Sequence, residues 1–337
     1  MLFLSTVAFD AEDEARLEAA GHELLYVGTE GGDPHGMTSD DFHAALYALP
    51  EAERRRAVGL ITPCFHVTSR LLTECPNIRW VHHPGAGVNS GDFWTDWDLL
   101  AEREVVVTTA KIHAGPISEW VLAMILALSK HLPCYLARQQ GHIYRDSERL
   151  PLMPLEGKAA LIVGAGNVGR EVGRKLKCAF GMQMLGINSD GRPLEHFDRV
   201  GVLSVLSEWV SMADFIITTA VLVETTRGMI NAEVLANARP TAYVVNPSRG
   251  SLIVERDLIE ALQSGKIAGA ALDTFEHEPL GPDSPLWDMP NVIITPHVSG
   301  GRPDYNTAVM ERLLENLSAF EAGEIGRMHQ VANFRRY

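Results

Sequence analysis

Short apolar runs alternate with helical patterns along nearly the whole chain, and that alternation leaves few architectures open. Residues 2–7, 24–27, 57–61, 78–81 and 105–108 are strand-like, with helical patterning between them, as at 11–20. A second series begins near Lys158, with strand-like runs at 159–163, 182–187, 215–219, 242–246, 269–272 and 292–294. Strands that alternate with helices form parallel sheets, because a parallel pair needs a crossover long enough to hold a helix. Two such series predict an α/β chain with two doubly wound parallel-sheet lobes. Residues 117–140 and 304–322 have the length and apolar density of long helices and are expected to be the crossover elements. Pro151 and Pro154 bound an extended connector ahead of the second series. With 337 residues, 46% of them hydrophobic, a core of this size needs no disulfide or metal staple.

Charge and cysteine usage narrow the partners. Asp and Glu number 43 against 29 Lys and Arg, a net charge of -14, which repels nucleic-acid backbones and anionic membrane surfaces. A locally positive pocket can still admit a small anion. The apolar run 120–128, bracketed by Glu119 and Lys130, is far shorter than the ~20 residues of a membrane span and is expected to be a buried helix. Residues 1–9 lack a basic start and run into Asp10, Glu12, Asp13 and Glu14, which suits a first strand better than a secretion signal. Cys64, Cys75, Cys134 and Cys178 lack paired spacing and read as reduced thiols of a cytoplasmic protein. His82, His83 and His277 have no third ligand at helical or hairpin spacing, so no metal site is expected and the three read as surface or cleft histidines.

Gly164-Ala165-Gly166-Asn167-Val168-Gly169 follows one strand-like run and opens a helix. In that setting the first glycine permits a tight turn, the second lets a pyrophosphate approach the backbone, and the third lets helix and strand pack closely. The motif predicts dinucleotide binding. After the next strand, the position suited to a carboxylate on the ribose is Asn188, followed by Ser189, Asp190, Gly191 and Arg192. A 2′-phosphate meets less repulsion there and Arg192 can pair with it, which favours NADP over NAD; Asp190 argues the other way.

Three segments end strands of the second series: 246–250, containing Pro247, Ser248 and Arg249; 272–279, containing Asp273 and Glu278; and 295–301, containing His297 and Gly300. Chemistry in an open parallel sheet gathers at the carboxyl ends of strands, so Arg249, Glu278 and His297 are candidates to converge. In this ordered set, together with Gly85-Ala86-Gly87-Val88, the segment 113–119 and the C-terminal 331–337, the chain resembles the D-2-hydroxyacid dehydrogenase family, which includes glyoxylate/hydroxypyruvate reductases and phosphoglycerate dehydrogenase.

The resemblance implies a flavodoxin-like substrate domain over 1–111 and 301–337, a Rossmann dinucleotide-binding domain over 112–300, and an active-site cleft between them. It implies hydride transfer between NAD(P)H and a small 2-oxo acid, with His297 as acid/base, Glu278 as its partner and Arg249 as anchor of the substrate carboxylate. Backbone amides around Ala86 and Gly87 would grip the remaining carboxylate oxygen. Cofactor contacts are expected from Gly164, Gly166, Asn167, Val168, Gly169, Asn188, Ser189, Arg192, Thr219, Pro247, Ser248, Asp273 and Gly300. The residue types suit the reaction. Hydride arriving at the 2-oxo carbon leaves charge on oxygen that an imidazolium can neutralise with a proton, and a carboxylate on the other ring nitrogen fixes the tautomer. A guanidinium grips a carboxylate with two parallel donors.

Two departures bear on detail. Where the family commonly has Leu-Pro-Leu-Thr this chain has Ala220-Val221-Leu222-Val223, and the aromatic nearest to a common pocket tryptophan is Tyr144. The resemblance also implies a two-fold homodimer using the 120–128 helix. The alternative from another class is a dinucleotide-sensing, corepressor-like binding protein on the same fold; such a protein is expected to carry long disordered extensions or a basic targeting run, and the sequence shows neither.

Overall fold

All pairings between named strands in the computed structural model are parallel. The structure describes residues 1–28, 39–62, 67–85, 96–144 and 150–332. The chain divides into two compact units, Met1–Ile112 with Arg302–Tyr337, and His113–Gly301.

The first unit is built on β1 (Leu2–Ser5), β2 (Glu23–Tyr26), β3 (Ala57–Ile61), β4 (Trp80–His83) and β5 (Val106–Thr109), in the order β2-β1-β3-β4-β5. That is the flavodoxin-like order. Side chains alternate across β1: Leu2 and Leu4 join one buried cluster with Phe42, Leu46 and Leu71, while Phe3 joins the other with Trp80, Val309 and Leu313. Both faces of the sheet are therefore covered, as a parallel sheet requires. The helix Tyr305–Glu321 supplies much of the second cover.

The second unit holds β6 (Ala159–Val163), β7 (Gln183–Ile187), β8 (Arg199–Gly201), β9 (Phe215–Thr218), β10 (Tyr243–Asn246), β11 (Gly269–Leu272) and β12 (Val292–Ile294). Their order is β12-β11-β10-β9-β6-β7-β8. The strand order reverses between β6 and β9, the doubly wound pattern whose switch point forms a crevice at the carboxyl ends. Leu161 and Val163 face one buried layer with Ile216 and Val244; Ala160 and Ile162 face the other with Val121, Ile125, Val172 and Leu176.

Four expectations need correction. The helix expected over 117–140 is two helices, Ala114–Ser129 and Leu132–Gln140, bent by 66°. Pro133 has no N–H to give the Ser129 carbonyl, and its ring would clash with it. His131 turns the chain with φ 51, and the Ser129 carbonyl instead accepts from Met153 N–H at 3.0 Å. The run 120–128 buries one face only, through Val121, Ile125 and Leu128. The edge strand β8 was not expected: Arg199-Val200-Gly201 holds one apolar residue and makes no apolar run, unlike the equally short β12. His82 and His83 are not surface groups. They are 1% and 7% exposed, and His82 Nδ1 lies 2.8 Å from the Thr108 hydroxyl, which also accepts from Trp80 Nε1 at 2.8 Å. Burial pushes the His82 pKa down to about 3, so the ring is neutral at physiological pH. Among the described residues no single helix is long and apolar enough to cross a membrane, and no group of His, Cys, Asp and Glu is arranged to hold a metal ion.

Leu176 is fully buried where the helix Asn167–Phe180 meets the sheet. Leu176→Ala is expected to cost about 2–5 kcal/mol, read as a lower midpoint in urea unfolding.

Candidate active site

The glycine motif sits at the switch point. Gly164 N–H and Ala165 N–H both donate to Ile187 O, at 2.9 and 2.7 Å, which ties the turn to the end of β7. Each glycine has its own physical reason. Gly164 has φ +102, and a Cβ there would lie 2.2 Å from Ala220 N. A Cβ on Gly169 would lie 2.6 Å from Gly164 O and 2.8 Å from the Thr219 hydroxyl. At Gly166, by contrast, the nearest atom to a built Cβ is Gly164 O at 3.9 Å. The space above Gly166 is open, and no side chain caps the helix Asn167–Phe180 that starts there. Backbone N–H groups and an open approach suit a pyrophosphate, so the residues present fit a dinucleotide.

Neighbouring cofactor candidates hold the turn itself. The Thr219 hydroxyl donates to Gly164 O at 2.8 Å. Asn188 Oδ1 accepts from Asp190 N–H and Gly191 N–H, at 3.2 and 2.6 Å, and its amide donates to Arg192 O at 3.2 Å. Ser189 is exposed in that turn. In place of a proline turn at 220–223, the Thr226 hydroxyl donates to Val221 O at 2.7 Å and accepts from Val223 N–H at 2.9 Å.

Arg249, Glu278 and His297 follow β10, β11 and β12, three adjacent strands. The structure puts His297 in contact with Glu278 and Arg249 near enough for its charge to act on Glu278. His297 Nδ1 lies 2.7 Å from Glu278 Oε2, while Glu278 Oε1 accepts from Phe275 N–H at 3.0 Å. Burial works against ionisation of Glu278, but the hydrogen bonds from His297 and Phe275 and the charges of His297 and Arg249 outweigh it and hold its pKa below the usual carboxylate value. Arg249 Nη1 also donates to Ser248 O at 2.7 Å. Gly250 makes the convergence possible: a Cβ there would fall 1.8 Å from the Phe275 carbonyl carbon, so the Arg249 turn packs backbone to backbone against the loop that carries Glu278.

Asp273 lies beneath this group, 0% exposed. Its carboxylate accepts from Val298 N–H at 2.9 Å, from Ser299 N–H at 2.8 Å and from the Thr295 hydroxyl. Its backbone carbonyl accepts from His297 N–H at 2.9 Å. His297 itself has φ 54, a left-handed conformation uncommon for a non-glycine residue, and the bond from its N–H to the Asp273 carbonyl fixes it.

A second network, which the sequence did not reveal, supports the arginine turn. Asn246 Oδ1 accepts from the Thr218 hydroxyl at 2.7 Å and from Ser248 N–H at 3.1 Å, and its amide donates to Arg249 O at 3.0 Å. The Ser248 hydroxyl donates to Thr218 O at 3.0 Å. The Ser299 hydroxyl donates to Pro247 O at 3.3 Å and so joins the histidine loop to the arginine turn. Asn246, Thr218 and Ser299 are each at most 5% exposed. The available signal was a polar residue closing an apolar strand. Gly300 is a packing position, since a Cβ there would lie 2.7 Å from the His113 ring. Tyr144 is 94% exposed. Ala86 and Gly87 lie outside the described residues.

Comparison with known proteins agrees with this geometry. Residues 122–299 match the family model for D-isomer specific 2-hydroxyacid dehydrogenase, NAD binding domain. A glyoxylate reductase of Korarchaeum cryptofilum is 40% identical over 265 residues, 77% of this chain and 78% of that protein. A hydroxypyruvate reductase of Blautia hydrogenotrophica is 31% identical over 258 residues, 74% of this chain and 78% of that protein. The crystal structure of an NADPH-dependent glyoxylate/hydroxypyruvate reductase from Sinorhizobium meliloti, in complex with NADP and sulfate, superposes with a TM-score of 0.75 at 25% identity, covering 98% of each chain. The chain belongs to the D-isomer specific 2-hydroxyacid dehydrogenase family and is an NAD(P)-dependent oxidoreductase.

Proposed function

We propose that the protein reduces a small 2-oxo acid, glyoxylate, hydroxypyruvate or a near relative, to the D-2-hydroxy acid, and that it favours NADPH. The observation that carries this reading is the 2.7 Å contact of His297 Nδ1 with Glu278, whose pKa Arg249 helps to lower. The names of the reductases from K. cryptofilum, B. hydrogenotrophica and S. meliloti support the substrate class, and the last supports NADPH. A nicotinamide dinucleotide held at the glycine turn of residues 164–169 would supply the hydride. Arg249 receives the substrate carboxylate in its planar fork and turns the 2-oxo group toward the imidazole. With Nδ1–H committed to Glu278, His297 offers its other nitrogen, Nε2, and gives the proton that converts the developing alkoxide into the hydroxyl. Glu278 stays ionised above its lowered pKa. The pair therefore persists to lower pH than an ordinary carboxylate would allow and is lost only as pH falls through that value.

The remaining partners follow from the surface. Leu132, Leu136, Ile143 and Leu152 are roughly half exposed, an apolar face suited to a second copy of the chain in a homodimer. Free Cys75, Cys134 and Cys178 fit a reducing, cytoplasmic compartment. The thiol of Cys75 is pushed up to about 12 by burial, which keeps it unreactive.

A panel of 2-oxo acids with NADPH and NADH, followed by loss of reduced-nicotinamide absorbance, tests the activity; no turnover with any of them overturns it. In that assay His297→Asn is expected to lower kcat about 10²- to 10⁴-fold with nucleotide binding retained, and Arg249→Lys to raise KM for the oxo acid more than it weakens nucleotide binding. Because the Glu278 carboxylate is held below its usual pKa, wild-type activity is expected to persist below the ordinary carboxylate range and to fall only as Glu278 protonates, and Glu278→Gln should remove that acid limb; an acid limb unchanged in Glu278→Gln would sink the assigned partnership. Sedimentation at micromolar concentration should report a dimer, and Leu136→Glu should shift it toward monomer.

A further inference from the structure

We infer that Asp190 restrains NADPH affinity by occupying the guanidinium of Arg192, so that this chain discriminates against NADH less than Arg192 alone would allow. The inference rests on the proposed reading of residues 188–192 as the ribose end of the dinucleotide site. β7 ends at Ile187, and the turn that follows is held from within by the Asn188 side chain, which bonds Asp190 N–H, Gly191 N–H and Arg192 O. Gly191, with φ +70, closes the turn. Asp190 and Arg192 therefore have fixed backbones on a short turn, and their side chains face each other. Asp190 Oδ2 accepts from Arg192 Nε at 2.8 Å and lies 2.7 Å from Nη2, while Oδ1 accepts from Arg192 N–H at 3.1 Å.

The donors that Arg192 presents to this carboxylate are the ones it would present to a phosphate. A 2′-phosphate must displace Asp190 and then tolerate its negative charge nearby. A ribose hydroxyl meets no such competition, because it is neutral and can donate to Asp190. The side chains of Arg192 and Asp190 are 73% and 41% exposed, so solvent weakens the pair and leaves it exchangeable. Asp190 thus tunes the preference and does not abolish phosphate binding.

The test is the dissociation constant of NADPH and of NADH, measured by fluorescence titration on the full chain at low ionic strength, for the wild type, Asp190→Asn, Arg192→Gln and the double variant. Asparagine keeps the acceptor for Arg192 N–H, so the turn survives. Asp190→Asn is expected to tighten NADPH roughly threefold to fivefold, the upper part of what an exposed pair supports, with NADH changed less than twofold. Arg192→Gln should weaken NADPH, and in its background the gain from Asp190→Asn should shrink to the smaller part that direct repulsion alone contributes. An unchanged NADPH constant in Asp190→Asn overturns the inference. So does an equal gain with and without Arg192, which would mean direct repulsion by Asp190. If the wild type binds neither nucleotide, the proposed function fails and takes this inference with it; if it binds both and Asp190→Asn changes nothing, only the inference fails.

Discussion

The geometry of the candidate site in the second unit depends on one buried carboxylate. Asp273 has no exposed surface, yet it closes β11 in an otherwise apolar layer, where a carboxylate without donors would cost several kcal/mol. The donors come from one place, residues 295–299. The requirement to satisfy Asp273 thus folds that segment over the end of the sheet and holds His297 in a left-handed backbone. A residue that resembles a cofactor contact when read in sequence spends its side chain on orienting another loop.

Similar reasoning applies one strand away. Asn246 closes β10 and uses its amide to bind the Thr218 hydroxyl, Ser248 N–H and Arg249 O. The two polar centres communicate through the Ser299 hydroxyl and the Pro247 carbonyl. Imidazole and guanidinium are therefore presented by loops whose backbones are fixed by buried, mutually satisfied hydrogen bonds, the condition under which a site keeps its geometry without the ligand.

Much of this was legible in the sequence. Among the described residues, eleven of the twelve strands show as apolar runs because most parallel strands are buried on both faces, and the glycine motif announced its own turn. The candidate triad was found because each member follows a strand of one series, and strand order then brings the loops together. What stayed hidden has physical causes. β8 holds a single apolar residue and so makes no apolar run; Pro133 signals a break, but the bend is set by the backbone of His131; and the roles of Asn246, Thr295 and Ser299 arise from contacts between segments far apart in the chain. Periodicity reports which face a residue occupies, but not which distant donor will meet it.

The closeness of Gly250 to the Phe275 backbone has a consequence for how such a protein can diversify. Main chain rests on main chain there, so no rotamer change can loosen the arginine from the glutamate loop, and only a change of backbone could. Variation in selectivity must then come from residues outside this contact, leaving the arginine turn and the glutamate loop as a fixed part onto which different selectivities can be fitted.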